Sequence, residues 1–322
     1  MKSKRLIPPE VRKIKIGGSG DERTSKAGNK WRVPEKWDHI GVTSTFKEDG
    51  RFPMDAEVME AIKKERGADK PRAITVVLPS DDPADFFASF DAFYASRTLA
   101  CYSDADGVAH RLEKIIGGDG KPVMVKVANK MQPARDWKEI PCDRKVCEFS
   151  SQCKTHTKVA FLLPYVNDLC GYSVFRTTSI KTKQNLEHAL FHSLPSLTGG
   201  LLAHIPLDLC LYVTEFGAHR VRVLRLTWPG TRAELIDAVR DRVALDNRLP
   251  GVGEIGPVEI SLRPQDETPE EQAEAQEEFH PGSELSELEE REAFGYADEG
   301  ENLMETQSDI LDSDEACTEV EK

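Results

Sequence analysis

The chain has 322 residues, 31% of them charged, and a formal net charge of −13 that is unevenly placed. Residues 261–322 hold 22 Asp and Glu against 3 Lys and Arg, so the rest of the chain carries a net +6: a basic body with an acidic tail. No run of eighteen apolar residues is present, which argues against a membrane span, and Met1–Pro9 lacks the apolar stretch of a signal peptide, so a cytoplasmic protein is expected.

Residues 1–30 are basic and rich in Gly, Ser and Lys, and read as a flexible arm with at most a short strand at Val11–Ile16. The α+β core is expected over 31–264. Asp55 is placed to cap a short helix with Val58, Met59 and Ile62 on one face. Ala73–Leu78 is a β-branched strand stopped by Pro79–Pro83. The aromatic-rich stretch from Asp85 to Tyr94 reads as helical, and Thr98–Cys101 as a strand before a turn at Asp104–Gly107.

Further strands are expected at Val123–Val127, Lys158–Leu163, Tyr172–Thr177, Leu201–Ile205, Leu207–Val213 and Val221–Trp228. Thr178 and Ser179 can cap a helix running to about Ser193. Thr231, with Glu234 at the third helical position, starts an amphipathic helix to Leu245 that carries Leu235, Val239 and Val243. After Pro264 the composition turns acidic and poor in aromatics. Such a segment buries too little apolar surface to offset its lost chain entropy, so 265–322 is expected to be a disordered tail. The fold class is therefore α+β with a strand-rich core, an OB-like barrel being one architecture that fits.

The sharpest chemical signal is Cys142, Cys147, Cys153 and His156, spaced C-x4-C-x5-C-x2-H in a polar stretch. Seven cysteines are too few and too uneven for a disulfide framework, and clustered thiols in a polar intracellular loop more often bind metal. Soft ligands on short loops suit tetrahedral Zn2+, and a module at about 98–157 with no core of its own would be organised by it. Cys101, at a strand end before a turn, competes with His156 as fourth ligand. Cys170 and Cys210 lie in apolar surroundings and read as core thiols.

A basic body points to a polyanionic partner, nucleic acid being the commonest, and a tethered acidic tail can compete for the same surface. Trp37, Tyr102, Tyr172 and Phe175 are candidate stacking residues, with Phe175 favoured as core. Arg176, Lys181 and Lys183 are candidate phosphate contacts. Lys181 and Lys183 fall in a first helical turn, where cations oppose the helix dipole.

Catalytic signals are thin. No nucleophile elbow, Walker loop or H-E-x-x-H motif is present, and Gly117–Gly120 lacks P-loop spacing. Asp81, Asp82 and Asp85, or Asp104 and Asp106, could bind a hard cation, but such acids more often cap helices and turns. A non-enzymatic protein is expected.

Several stretches, taken in order, carry a resemblance. They include Trp37–Thr43, Asp49–Asp55, Asp69–Arg72, Ser80–Asp82, Leu99–Cys101, Asp106–Ala109, Ile140–Cys142, Cys147, Cys153-Lys154, Phe161–Pro164, Phe175–Ser179, Thr198–Gly200 and Ile205–Leu207. Over about 31–228 the chain resembles the recombination directionality factor-like family of phages and prophages. That resemblance implies a DNA-metabolism accessory protein that binds a serine integrase on its attachment sites and switches it from integration to excision. In phages without such an integrase it implies a role beside replication proteins. It also implies that Cys101, Cys142, Cys147 and Cys153 recur together, which favours Cys101 over His156 as fourth ligand. The acidic tail does not follow from it. Beside this stands a second reading from the residues: a single-stranded DNA-binding replication protein whose acidic tail is autoregulatory.

Overall fold

Alternating in-and-out side chains dominate the chain, and they build sheets. The computed structural model describes residues 9–280 except 25–29, 47, 49–51, 96–97, 104–106, 119–120, 122, 128–129, 148, 166–170, 217–218, 249–259 and 261. In chain order the elements are β1 (Glu10–Thr24), β2 (Lys30–Ser44), α1 (Ala56–Arg66), β3 (Ala73–Val77), β4 (Phe87–Ala95), β5 (Thr98–Ser103), β6 (Val108–Lys114), β7 (Met124–Val127) and β8 (Lys130–Pro133). They continue with β9 (Arg135–Pro141), β10 (Lys154–Phe161), β11 (Tyr172–Thr177), α2 (Ile180–His188), α3 (Leu194–Thr198), β12 (Pro206–Phe216), β13 (His219–Thr227), α4 (Arg232–Arg248) and α5 (Pro269–Phe279).

Eight strands form one mixed sheet in the order β2-β1-β11-β10-β4-β5-β6-β9, with β1 parallel to β11. A second sheet runs β13-β12-β3, and β7 pairs with β8. Among the described strands β2 and β9 stand at opposite ends of the large sheet, so no OB-like barrel closes.

One face of β1, β2, β10 and β11 packs on the core. Ile14, Ile40, Val42, Val159, Phe161 and Phe175 are 1% exposed or less. They cluster with Val58, Met59 and Ile62 of α1, Ile74 and Val76 of β3, Leu186 of α2, Leu209 of β12, Leu224 of β13 and Leu235 of α4. Each such side chain contributes about 1.5–3 kcal/mol by leaving water. Asp55 caps α1 by accepting from the Val58 amide (3.2 Å), and Gly67 ends it at φ +64°, where a side chain would be strained.

The opposite face of the sheet carries a smaller cluster of Phe90, Ala92, Tyr94, Leu99 and Tyr102. Ala275 and Phe279 of α5 cover it.

Five expectations change. Within the arm expected at 1–30, Glu10–Thr24 is strand β1, pairing with β2 and β11. The stretch Asp85–Tyr94 is a 3-10 turn at Pro83–Asp85 followed by β4, because Phe90, Ala92 and Tyr94 alternate onto the α5 face. Leu201–Ile205 makes only one isolated bridge, Ala203 to Leu78. The start of the acidic tail folds: Pro264–Asp266 is a 3-10 turn and α5 follows. Thr268 and Glu271 form a capping box (2.6 and 3.2 Å) with Pro269 in the first turn, a strong local start signal that overall composition hides. Residues 281–322 lie outside the described residues. Cys210 is 1% exposed, as expected of a core residue, but is disulfide-bonded rather than a free thiol.

Candidate functional site

The cysteines gather at one end of the large sheet. Cys101 comes from β5, Cys142 and Cys147 from the turn after β9, and Cys153 immediately precedes β10. The turn is held by Asp143, whose carbonyl accepts from Val146 (3.2 Å) and Cys147 (2.9 Å). The Cys153 amide donates to the Phe149 carbonyl at 2.7 Å. All four are free thiols lining one cavity of about 150 Å3, together with Asp91, Phe93, Arg111 and Phe149. Phe149 stacks on Phe93 (4.8 Å) and lies under Arg111 (4.8 Å), while Arg144 pairs with Asp91 (2.6 Å). Burial pushes the Cys101 thiol up to about 11 and Cys153 up to about 12.

Among the described residues, no three His, Cys, Asp or Glu side chains stand close enough to hold a metal ion. The thiols therefore share a cavity without forming a coordination sphere, and the expected zinc module is not displayed as such. In donor type the set is all sulfur, which suits zinc.

His156 is not part of that cavity. Its ring lies on the α5 face, 0% exposed, stacked on Phe90 (5.9 Å) with Nε2 3.0 Å from Nε2 of His280. Burial depresses both rings, His280 to about 3 and His156 well below its ordinary value.

The second constellation is a row of cations beneath α5. Strand register puts Lys158 beside Arg176, His156 beside Phe90, and Lys13 beside Val174, so these side chains share the face away from the core. Glu267 pairs with both Lys158 and Arg176 and accepts from the Tyr94 hydroxyl (2.9 Å). Glu274 pairs with Lys13 and with Lys15 (2.6 Å), and Glu278 with Lys15 (3.1 Å). Lys154 donates to the Phe279 carbonyl at the end of α5 (2.6 Å), and the Leu99 amide donates to Gln272 (3.0 Å).

Burial alone would raise the Glu267 and Glu274 carboxyls, but the facing cations outweigh it. Both lie below the usual range, Glu274 at about 2. Burial lifts Glu10, an acid on this face, to about 7. Lys13 and Lys15 also stand over the Phe52 ring (4.2 and 4.9 Å).

Three expected nucleic-acid residues meet here. Tyr172 and Arg176 of β11 and Tyr102 of β5 are on the α5 face. The other three do not join them. Trp37 stacks on His39 in β2 (5.4 Å), Lys181 is exposed in the first turn of α2, and Lys183 pairs with Glu187 (2.7 Å). Phe175 is core, as favoured.

Lys13, Lys15, Lys154 and Lys158 were missed by sequence reasoning. The signal was there: Lys13-x-Lys15 and Lys154-x-His156-x-Lys158 repeat with the two-residue period that puts side chains on one face.

Asp81 and its neighbours hold structure. Asp81 accepts from the Leu202 and Ala203 amides (2.6 and 2.8 Å) and from Arg242 (2.8 and 2.9 Å). Asp82 caps the 3-10 turn through the Ala84 amide (2.9 Å), and Asp85 accepts from Ser80 (2.5 Å). Asp104 and Asp106 lie outside the described residues. No described helix is long and apolar enough to cross a membrane.

Neither a curated protein nor a solved structure matches the chain. Comparison with protein families matches residues 13–227 to the Gp3-like family, described as recombination directionality factor-like. That span takes in the large sheet from Lys13 onward, the three-stranded sheet and all four cavity cysteines. Two thirds of the sequence thus agrees with one family across both sheets, and the chain belongs to the recombination directionality factor-like family.

Proposed function

We propose that this protein is a phage or prophage accessory factor that binds a serine integrase–DNA complex and favours excision. The family match over 13–227 carries this reading. The protein acts by binding, without turnover, and Asp81 and Asp82 are committed to backbone and Arg242 contacts.

Cys101, Cys142, Cys147 and Cys153 would hold Zn2+, which supplies a structural tetrahedral crosslink. The supporting observation is that four free thiols from β5, the turn after β9 and the approach to β10 face one cavity. Arg111 and Arg144 beside them offset thiolate charge. Joining these segments would fix this end of the sheet.

A native gel tests the reading. The chain is added to a serine integrase, encoded on the same genetic element, already bound to its attachment-site DNA. A slower-migrating ternary band supports it. An unchanged integrase–DNA band with folded protein present refutes it.

A second reading, single-stranded DNA binding in replication, is favoured by one observation. Lys13, Lys15, Lys158 and Arg176 share a sheet face with Phe90, Tyr94, Tyr102 and Tyr172.

A further inference from the structure

We propose that the cationic, aromatic face beneath α5 is a binding surface for single-stranded DNA, and that α5 occupies it in the resting chain in place of that strand. This rests on the second, DNA-binding reading and adds its site and its regulation.

A sheet with one face on the core turns its other face to water, and that face ordinarily mixes charges of both signs. Here the outward positions of three adjacent strands carry Lys13 and Lys15 of β1, Arg176 of β11, and Lys154 and Lys158 of β10. Glu10 lines this face with them. Phe90, Tyr94 and Tyr102 extend the same face, and Tyr172, paired with Glu10 and partly in the main core, borders it. Cations beside flat rings are what a single strand requires, phosphates for the first and unstacked bases for the second. A duplex, with its bases stacked inside, has no use for the rings.

The covering segment repeats the phosphate pattern in carboxylates. Within α5, Glu271, Glu274 and Glu278 recur at intervals of three and four, about one carboxylate per 5.4 Å turn, and Glu267 stands just before the N-cap Thr268. Glu267, Glu274 and Glu278 each pair with sheet cations. Ion pairs this deep stabilise a fold less well than apolar packing would, so a stripe of them suits an exchangeable cover better than a permanent one. Replacing carboxylates by phosphates leaves every cation paired, so exchange proceeds without stranding buried charge. The family match stops at residue 227. The cationic face lies inside it and α5 outside.

The test uses the full chain and fluorescence anisotropy with a labelled oligo-dT strand. Glu274→Gln/Glu278→Gln frees Lys13 and Lys15 and is expected to bind about tenfold tighter at low salt, because the binding-competent fraction rises. Its salt dependence is expected to be steeper by about 0.7 in log–log slope for each additional phosphate contact, since wild-type cations release few counterions when they trade carboxylate for phosphate. Adding Lys13→Gln/Lys15→Gln is expected to remove the gain, which a merely loosened helix would not predict. Hydrogen exchange in 269–279 of the wild type is expected to accelerate when DNA saturates it.

A double variant that binds no tighter, or wild-type binding with the α5 amides still protected, overturns the proposal. So does duplex DNA or heparin binding as well as the single strand at equal charge. A ternary band with integrase that survives all these variants keeps the accessory-factor reading even if this one fails.

Discussion

Glu267→Gln isolates a deeply buried charge contact. The Glu267 side chain is 1% exposed and faces Lys158 at 6% and Arg176 at 15%. Glutamine keeps an acceptor for the Tyr94 hydroxyl but removes the carboxylate that pairs directly with both buried cations. Breaking a buried pair from one side destabilises by about 3–5 kcal/mol, against at most about 1 kcal/mol for an exposed pair. The loss falls on the docking of α5, a local opening rather than global unfolding. At about 1.4 kcal/mol per factor of ten, the opening constant rises by at least about 100-fold. Amide hydrogen exchange followed by mass spectrometry should show peptides within 269–279 exchanging faster by that factor, with β3, β12 and β13 unchanged. Glu278→Gln, at a carboxylate that is 31% exposed, should move the same peptides by less than tenfold. Exchange in Glu267→Gln within threefold of wild type would refute the claim that charge pairing holds α5 in place.

Three further outcomes follow from the geometry. Protein prepared with zinc should carry about one Zn2+ per chain by atomic absorption, and Cys147→Ser should lose it while His156→Gln keeps it; retention by the cysteine variant would reject the four-thiol assignment. Asp81→Asn, which weakens two backbone contacts and the Arg242 pair, should lower stability by about 1–3 kcal/mol in a denaturant melt without changing DNA affinity; an affinity change instead would make Asp81 part of a functional site. α5 should detach as the solution is acidified below about pH 6.5. His156 and His280 are neutral when docked, with pKa values depressed by burial, so the released state binds protons that the docked state refuses. Glu10, raised to about 7, opposes this between about 4.5 and 7, but one carboxyl stands against two imidazoles. Exchange in 269–279 that stays flat or slows on acidification would contradict the sign.

What the sequence made legible was local. The Asp55 cap with Val58, Met59 and Ile62, and the Thr231–Glu234 start of α4 with Leu235 buried, depend on residues within a few positions of each other. Strand β11 was bounded correctly because Tyr172, Val174, Phe175 and Thr177 are β-branched or aromatic. What was hidden depends on distant partners. Lys13 and Lys15 make β1 look like a solvated arm until Glu274, about 260 residues later, is placed over them. Glu267 and the acids of α5 likewise read as disorder because their partners, on β1, β10 and β11, are remote in sequence. The cysteine set was legible as a group. The direction in which His156 faces was not, because it depends on the register of β10 against β4.

The most direct test of the central claim is a recombination assay with purified components. The serine integrase of the same element is incubated with paired attachment sites, in the integrated or in the unintegrated configuration, with and without this protein. The account predicts that the protein raises recombination of the integrated pair and suppresses that of the unintegrated pair. Equal rates in both configurations, with integrase active and this protein folded, would contradict it.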